Sequence, residues 1–456
     1  MDDSTLSISV AVMMGCFVLW RVLTRRFAHP ADLAALSVLY YALPLSFVAL
    51  VLRDDDGRVY LHRAASDPEI ALQSLHYAIL AVISLKCGQW IASTIGSGAV
   101  RHMFPLMPKD GRKARNFILL LMIVIVCGIG LYGPAFFAGY AVESTEGSAA
   151  LGNAFIYSSI EFIGLTFGYV LLVKVAHKDR PISNVVWMAA IFLIVLALLR
   201  GKRLEVVSAF LPLALLSFGM SRWLTKPLSR LTLILSLAVV ISLVASLRLG
   251  EAFNLPSLMF NLFSEGLFAG HSLPGIIEKI QMGSIDYEDG SRMLMGVLAV
   301  VPRFLWPEKD ALLYAGNAAL VGVSPLGATT MLAEVVLQGG ALAVGLTYFV
   351  MGFVFQRFYV GIRYMASDVR ERRLPLAAIG YLVCVAIFIP HFRDGIIPAM
   401  KISFQAVVYL AVLAGLQSST WSWRLLRMRR VKPALVKESA SSTQALIDRK
   451  TGQVLQ

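Results

Sequence analysis

At 456 residues, 57% of them hydrophobic, and with mean hydropathy +0.72, the chain is too apolar for a soluble globular domain. Runs of about 18 or more residues that are apolar on every face recur from end to end, which marks helices that span a bilayer. The formal net charge of +13 is then explained by Lys and Arg in cytoplasmic loops rather than by a nucleic-acid partner.

Eleven spans are expected in chain order. The first three cover residues 6–24, 33–52 and 76–96, and the next five 117–137, 156–175, 184–199, 204–220 and 231–248. The last three cover 329–355, 375–390 and 396–416. The first run is long enough to span, so it reads as a retained helix rather than a cleaved leader. Cys16, Cys87, Cys127 and Cys384 all fall inside these runs and read as small buried hydrophobes, not as a disulfide framework or a metal site.

The short loops set the orientation. Residues 25–26, 101–115, 177–180, 221–230 and 356–373 are basic, as is the stretch from Trp423 onward, and all alternate onto one face, which is therefore cytoplasmic. The other face receives the amino terminus, the acidic segment 53–69, "ESTEG" at 143–147, a long mixed stretch at 249–328 and "HFRDG" at 391–395. Residues 1–430 thus form one polytopic membrane domain with a long periplasmic loop between helices 8 and 9, and residues 431–456 a disordered cytoplasmic tail. No internal repeat is evident, which disfavours a transporter built from two inverted halves.

A set of cations falls on the face that the positive-inside rule disfavours: Arg200, Lys202, Arg203, Arg248, Arg292, Arg303, Lys309, Arg393 and Lys401. An Arg within a spanning helix costs roughly 2.5–3.5 kcal/mol on insertion scales, so such residues persist where something partners them. In "LLRGKRLEVV" at 198–207, a continuing helix puts Arg200 and Arg203 on one face at i, i+3. Planar guanidinium forks of this kind suit a lipid-borne diphosphate. The plainer account is snorkelling to lipid phosphates, with Lys202 paired to Glu205.

Within 249–328, "RMLMGVLAVVPRFLWP" is apolar but short and interrupted by Pro302 and Pro307. It reads as an interfacial or re-entrant helix anchored by Trp306. "DYEDG" at 286–290 reads as an exposed turn. Glu334 lies inside the ninth run near its outer end, where a carboxylate is a functional candidate; the structural alternative is an ion pair with Arg303 or Arg393. Gly339 and Gly340 suit close helix approach. In "IPHFRDGIIPAMK", Arg393 is pinned between Pro390 and Pro398, and His391 or Asp394 could act as acid or base. Lys86 and Lys401 are further intramembrane cations.

The basic "GKR" turn, "PRFLWPEK" in a long outer loop, "SPLGATTMLAEVVLQGG" opening the next helix and the late "RDG" turn occur in an order that resembles the bacterial Wzy-type O-antigen and exopolysaccharide polymerases, over most of residues 115–415. The resemblance implies an all-helical, GT-C-like glycosyltransferase of the inner membrane with its active site facing the periplasm. It would transfer a growing glycan from undecaprenyl diphosphate to the next lipid-linked repeat unit, without cofactor or metal. A flippase and a chain-length regulator are implied partners. Arg200, Lys202 and Arg203 match the basic turn, Arg303 and Lys309 the loop motif, and Glu334 and Arg393 the two later positions; Arg248 and Arg292 join the diphosphate-binding set by position. Glu334 or Asp394 would be the general base for direct displacement. An O-antigen ligase would share this architecture, and a lipid-linked glycan flippase would need its cations along a central cavity.

Overall fold

The computed structural model describes residues 3–52, 63–95, 103–104, 164–173, 203–220, 226–249, 255–301, 305–308, 329–367 and 374–413, with a few single positions between 122 and 196 and Val323. Over these residues the protein is an all-α membrane protein. Residues 1–2 aside, the expected spans at 117–137 and 184–199 lie almost wholly outside the described residues, as does the tail at 431–456.

The first helices begin where the sequence supplies caps. α1 covers Asp3–Thr24 and α2 Pro30–Phe47, the latter prolonged by a π-helical turn at Val48–Leu52. His29 caps α2 by accepting a hydrogen bond from the Ala31 amide at 3.0 Å, and Pro30 follows at the first helical position. After one turn, α3 (Arg63–Ser66), Asp67 caps α4 (Pro68–Thr94) in the same manner. α4 starts eight residues before the expected 76 because this cap and Pro68 fix its first turn ahead of the apolar run.

Further along, α5 (Gly164–Val173), α6 (Arg203–Met220) and α7 (Pro227–Leu249) are followed by three helices inside the stretch expected to be a loop: α8 (Leu255–Gly270), α9 (Ser272–Gln281) and α10 (Ser291–Leu298). α8 packs against α2 and α7, with Gly266 and Gly270 against the backbone carbonyls of Tyr40 and Tyr41. Much of 249–328 is helical: α8, at 16 residues too short to read as a spanning run, packs into the bundle, and α10 falls within the interfacial helix expected at "RMLMGVLAVVPRFLWP". α10, at eight residues, is about 12 Å long and cannot cross a bilayer.

The expected ninth helix is two. α11 (Met331–Leu337) stops at Gln338, and α12 (Gly340–Ser367) starts at Gly340, whose φ of 58° no continuous helix accommodates. The chain then forms α13 (Leu376–Val383), a π-helical turn at Cys384–Phe388, a 3-10 turn at Pro390–Arg393 and α14 (Ile396–Leu413). Leu374–Pro375 pairs antiparallel with Met103–Phe104.

Among the described residues, five helices are long and apolar enough to cross a membrane: α1, Pro30–Leu50, α4, Gly340–Met365 and α14. α2 is buried over most of its surface, while α1 and α12 turn much of theirs outward, so α2 and α4 form the centre. Cys384 is buried as expected, but Cys16 and Cys87 are exposed on the outside of the bundle, and Cys127 lies outside the described residues.

Among the described helices, the most extensive contact joins α4 and α12. It depends on two facing glycines: a Cβ on Gly88 would overlap the Phe349 carbonyl oxygen, and one on Gly352 would overlap that of Leu85. Small residues let helix backbones approach in a bilayer, where apolar burial against lipid contributes little. Gly345, on the same α12, has open space around it. Gly88→Val should therefore lower the thermal midpoint of the detergent-purified protein well below that of Gly345→Val, a difference of about 1–3 kcal/mol for overpacking. Equal midpoints would mean that the close approach contributes nothing.

Candidate active site

One end of the bundle carries a buried charge cluster built from three elements. α11 supplies Glu334. Thr330 starts that helix, its hydroxyl accepting from the Ala333 amide and bonding Ser272 of α9 at 3.0 Å. α10 supplies Arg292 on its inward face, beside Gly296, while Leu294 and Val297 point outward. This reverses the soluble pattern and suits a helix whose outer face meets apolar surroundings. The "DYEDG" turn supplies Glu288, whose backbone amide donates to the Leu337 carbonyl at 2.9 Å.

Arg292 donates from Nε and one terminal nitrogen to both oxygens of Glu288, at 2.9 and 3.0 Å, and from its other terminal nitrogen to Glu334 at 3.4 Å. Gln338 closes the arrangement. Its amide nitrogen donates to Glu288 at 2.9 Å, and its oxygen accepts from the Arg292 backbone amide at 3.1 Å. Glu334, only 5% exposed, also accepts from the backbone N–H of Ile396. The "RDG" turn thus lies directly on the carboxylate, and Gly395, with φ 90°, makes this possible.

The electrostatics follow from two carboxylates sharing one guanidinium. Burial pushes the Glu334 carboxyl up to about 7; the Ile396 amide and Arg292 pull it back, and repulsion from Glu288 adds to the rise. Burial also pushes Glu288 up, but hydrogen bonds from Arg292 and Gln338 and the charge of Arg292 outweigh it, leaving Glu288 below its ordinary value. The cluster therefore contains one proton-binding site poised near neutrality, Glu334. A general base works best when poised in this way.

Beside this cluster, His391 bonds Asp394 through Nδ1 at 2.8 Å across the 3-10 turn. Buried His391 and partly exposed Asp394 form a second acid–base pair on the turn that covers Glu334. Arg393, partly buried, ends the same turn. Among the described residues, no three His, Cys, Asp or Glu side chains group closely enough to hold a metal ion.

The structure thus brings together Glu334, Arg292, His391, Arg393 and Asp394 of the residues singled out from sequence. The ion-pair partner of Glu334 is Arg292, not Arg393; Arg303, the other anticipated partner, lies outside the described residues, as do Arg200, Lys202 and Lys309. Arg203 opens α6 and Arg248 lies near the end of α7, with their side chains outside the described residues. Arg292 was expected to bind diphosphate, but its charge is already balanced by Glu288 and Glu334. Sequence reasoning missed Glu288 and Gln338. The signal for Glu288 was its i, i+4 spacing to Arg292. No known protein family, curated protein or solved structure matches this chain.

Proposed function

We propose that the chain is a glycosyltransferase that polymerises undecaprenyl-diphosphate-linked oligosaccharide repeat units into O-antigen or exopolysaccharide at the periplasmic face of a bacterial inner membrane. The observation that carries the proposal is Glu334: a buried carboxylate poised near neutrality at the bundle end that the loop charges orient outward. Support also comes from the order of the sequence motifs, and an eleven-span, GT-C-like architecture belongs to the same reading.

In this mechanism Glu334 accepts the proton of the acceptor sugar hydroxyl. The hydroxyl oxygen attacks the anomeric carbon of the donor, and the bond from that carbon to the diphosphate oxygen breaks. The electron pair leaves with undecaprenyl diphosphate, and a single displacement inverts the anomeric centre. Arg292 positions Glu334 between turns of the reaction, because its own charge is held by Glu288. Stabilising the departing diphosphate falls to Arg200, Lys202, Arg203, Arg248, Arg303, Lys309 and Arg393. His391 and Asp394, bonded to each other on the turn that covers Glu334, are the second acid–base pair of the site.

The test is deletion of the gene in its source organism, with the surface glycan run on a gel beside a complemented strain. The expected result is lipid A-core carrying a single repeat unit and no ladder. Bare core with lipid-linked polymer accumulating would instead indicate a ligase, and absence of externally exposed repeat units a flippase.

A further inference from the structure

A second charged cluster stands at the opposite end of the bundle, and nothing in the proposed reaction uses it. Asp32, in the first turn of α2, is fully buried and faces three cations. Lys86 of α4 bonds it directly, Arg21 of α1 approaches at 3.4 Å and Arg25, just beyond α1, at 3.5 Å. Next to it His29 bonds Gln356 at 2.7 Å and packs tilted against the ring of Tyr359, over which Arg25 also lies. Gln356 is 16 residues along α12 from Gly340, about 24 Å at 1.5 Å per residue, so most of a hydrocarbon thickness separates this cluster from the Glu334 end.

Three cations share one carboxylate, which leaves two positive charges without a counter-charge from Asp32. None of the three is sealed in: Arg21, Arg25 and Lys86 keep 24%, 31% and 23% of their side-chain surface exposed. Directly adjoining is an apolar groove of about 360 Å³ between α1 and α4, lined by Phe17, Val18, Ile83 and Trp90 with Lys86 in its wall. Phe17, Ile83 and Trp90 are exposed on the outside of the bundle, so the groove opens where acyl chains lie. Arg21 sits one helical turn beyond Phe17, over its ring. Apolar channel and basic head are therefore in register along the same two helices.

We infer that this groove is a binding site for an anionic phospholipid of the cytoplasmic leaflet, with an acyl chain against Phe17 and Ile83 and its phosphate held by Arg21, Arg25 and Lys86. Charge complementarity selects this occupant: a zwitterionic lipid would bring its own cation to a site where, among the described residues, three cations already share one carboxylate. Basic pockets between helices on the cytoplasmic side take anionic headgroups for this reason. The carboxylate of Asp32 keeps the three cations gathered while the site is empty. The inference does not depend on the reaction at the other end; it takes from the loop charges only which leaflet is involved.

The experiment is thermal unfolding of the full chain in a neutral detergent, titrated with phosphatidylglycerol, phosphatidylcholine or inorganic phosphate. Phosphatidylglycerol should raise the midpoint and the other two should not. Arg21→Gln and Arg25→Gln, which leave the Lys86–Asp32 pair intact, should each weaken the phosphatidylglycerol response roughly tenfold in concentration. Lys279→Gln removes a partly exposed charge from α9, at the other end of the bundle, and should leave it unchanged. Ile83→Trp fills the groove without altering charge and should also abolish the response. An equal response to phosphatidylcholine, or a response retained in both arginine variants, would overturn the site. A shift with inorganic phosphate alone would make it a free-anion site, and a response surviving Ile83→Trp would reduce it to surface attraction; either result removes the lipid assignment.

Discussion

Glu334→Gln is expected to abolish polymer formation and, in the same protein, to increase thermal stability above neutral pH. The amide keeps the shape of the carboxyl and its oxygen can still accept from the Ile396 N–H, while Arg292 retains its two-point bond to Glu288. What disappears is the second carboxylate on a single guanidinium. In the wild type, burial first, with Glu288 adding, raises Glu334 from 4.5 to about 7. The folded protein thus binds this proton more tightly than the unfolded chain. The resulting stability is fully present below pH 4.5 and is lost as pH rises through 7, an amount of about 3 kcal/mol. Glu288, shifted downward, works the other way: its contribution holds at neutral pH and is lost as pH falls below the ordinary carboxylate range. Wild-type stability should therefore peak in mildly acidic solution, while activity rises with pH through about 7 as Glu334 ionises. In Glu334→Gln the decline in stability above the peak should flatten. Melting curves and polymer yield across pH test both halves, and polymer made at the wild-type level by Glu334→Gln would remove the general-base assignment.

Gly395→Ala is expected to be nearly as damaging to activity, and it should destabilise as well. At φ 90° an alanine costs about 1–2 kcal/mol in backbone strain. Its Cβ would also lie 2.5–2.6 Å from the carboxyl carbon and both oxygens of Glu334. That carboxylate has little freedom to retreat, because Arg292 and the Ile396 amide hold it from either side. Overpacking of this kind adds roughly 1–3 kcal/mol. Gly283 is a clean comparison, since its φ is 66° and nothing lies within 4 Å of a Cβ placed there. Gly283→Ala should show the backbone cost alone and retain polymer. If the two variants melt together and both make polymer, the turn does not sit on Glu334 as described.

Much of the bundle was legible because spanning helices announce themselves by uninterrupted apolar length. α1, α2, α4, α13 with its π turn, and α14 all follow runs visible in the sequence. α8 was not legible as part of the bundle because 16 residues with two glycines look too short and too interrupted, yet those glycines are what let it press against α2. The break between α11 and α12 was hidden for a related reason. Gly339 and Gly340 signal close packing as readily as a turn, and only the backbone angle distinguishes the two. In the site, Glu334 and the "RDG" turn stood out because charges inside apolar runs are costly. Glu288 did not, because in sequence it is one acidic residue among several in a turn; its partners Arg292 and Gln338 come together only when α10 folds against the end of α11. Asp32 went unremarked beside Lys86 because 54 residues separate them.

The π-helical turn at Cys384–Phe388 has a consequence for how this molecule can vary. Such a turn holds one residue more than the α-helix it interrupts. Since each residue advances an α-helix by about 100°, removing one residue from 384–388 would restore regular winding and swing everything after it around the axis by that angle. His391, Asp394 and the Ile396 amide would all be carried away from Glu334. Substitutions within the turn can exchange one apolar side chain for another, but its residue count is not free. Descendants of this chain can drift widely in the composition of 384–388 while being held to its length, and a one-residue gap there would mark a lineage that has given up the present arrangement of the site.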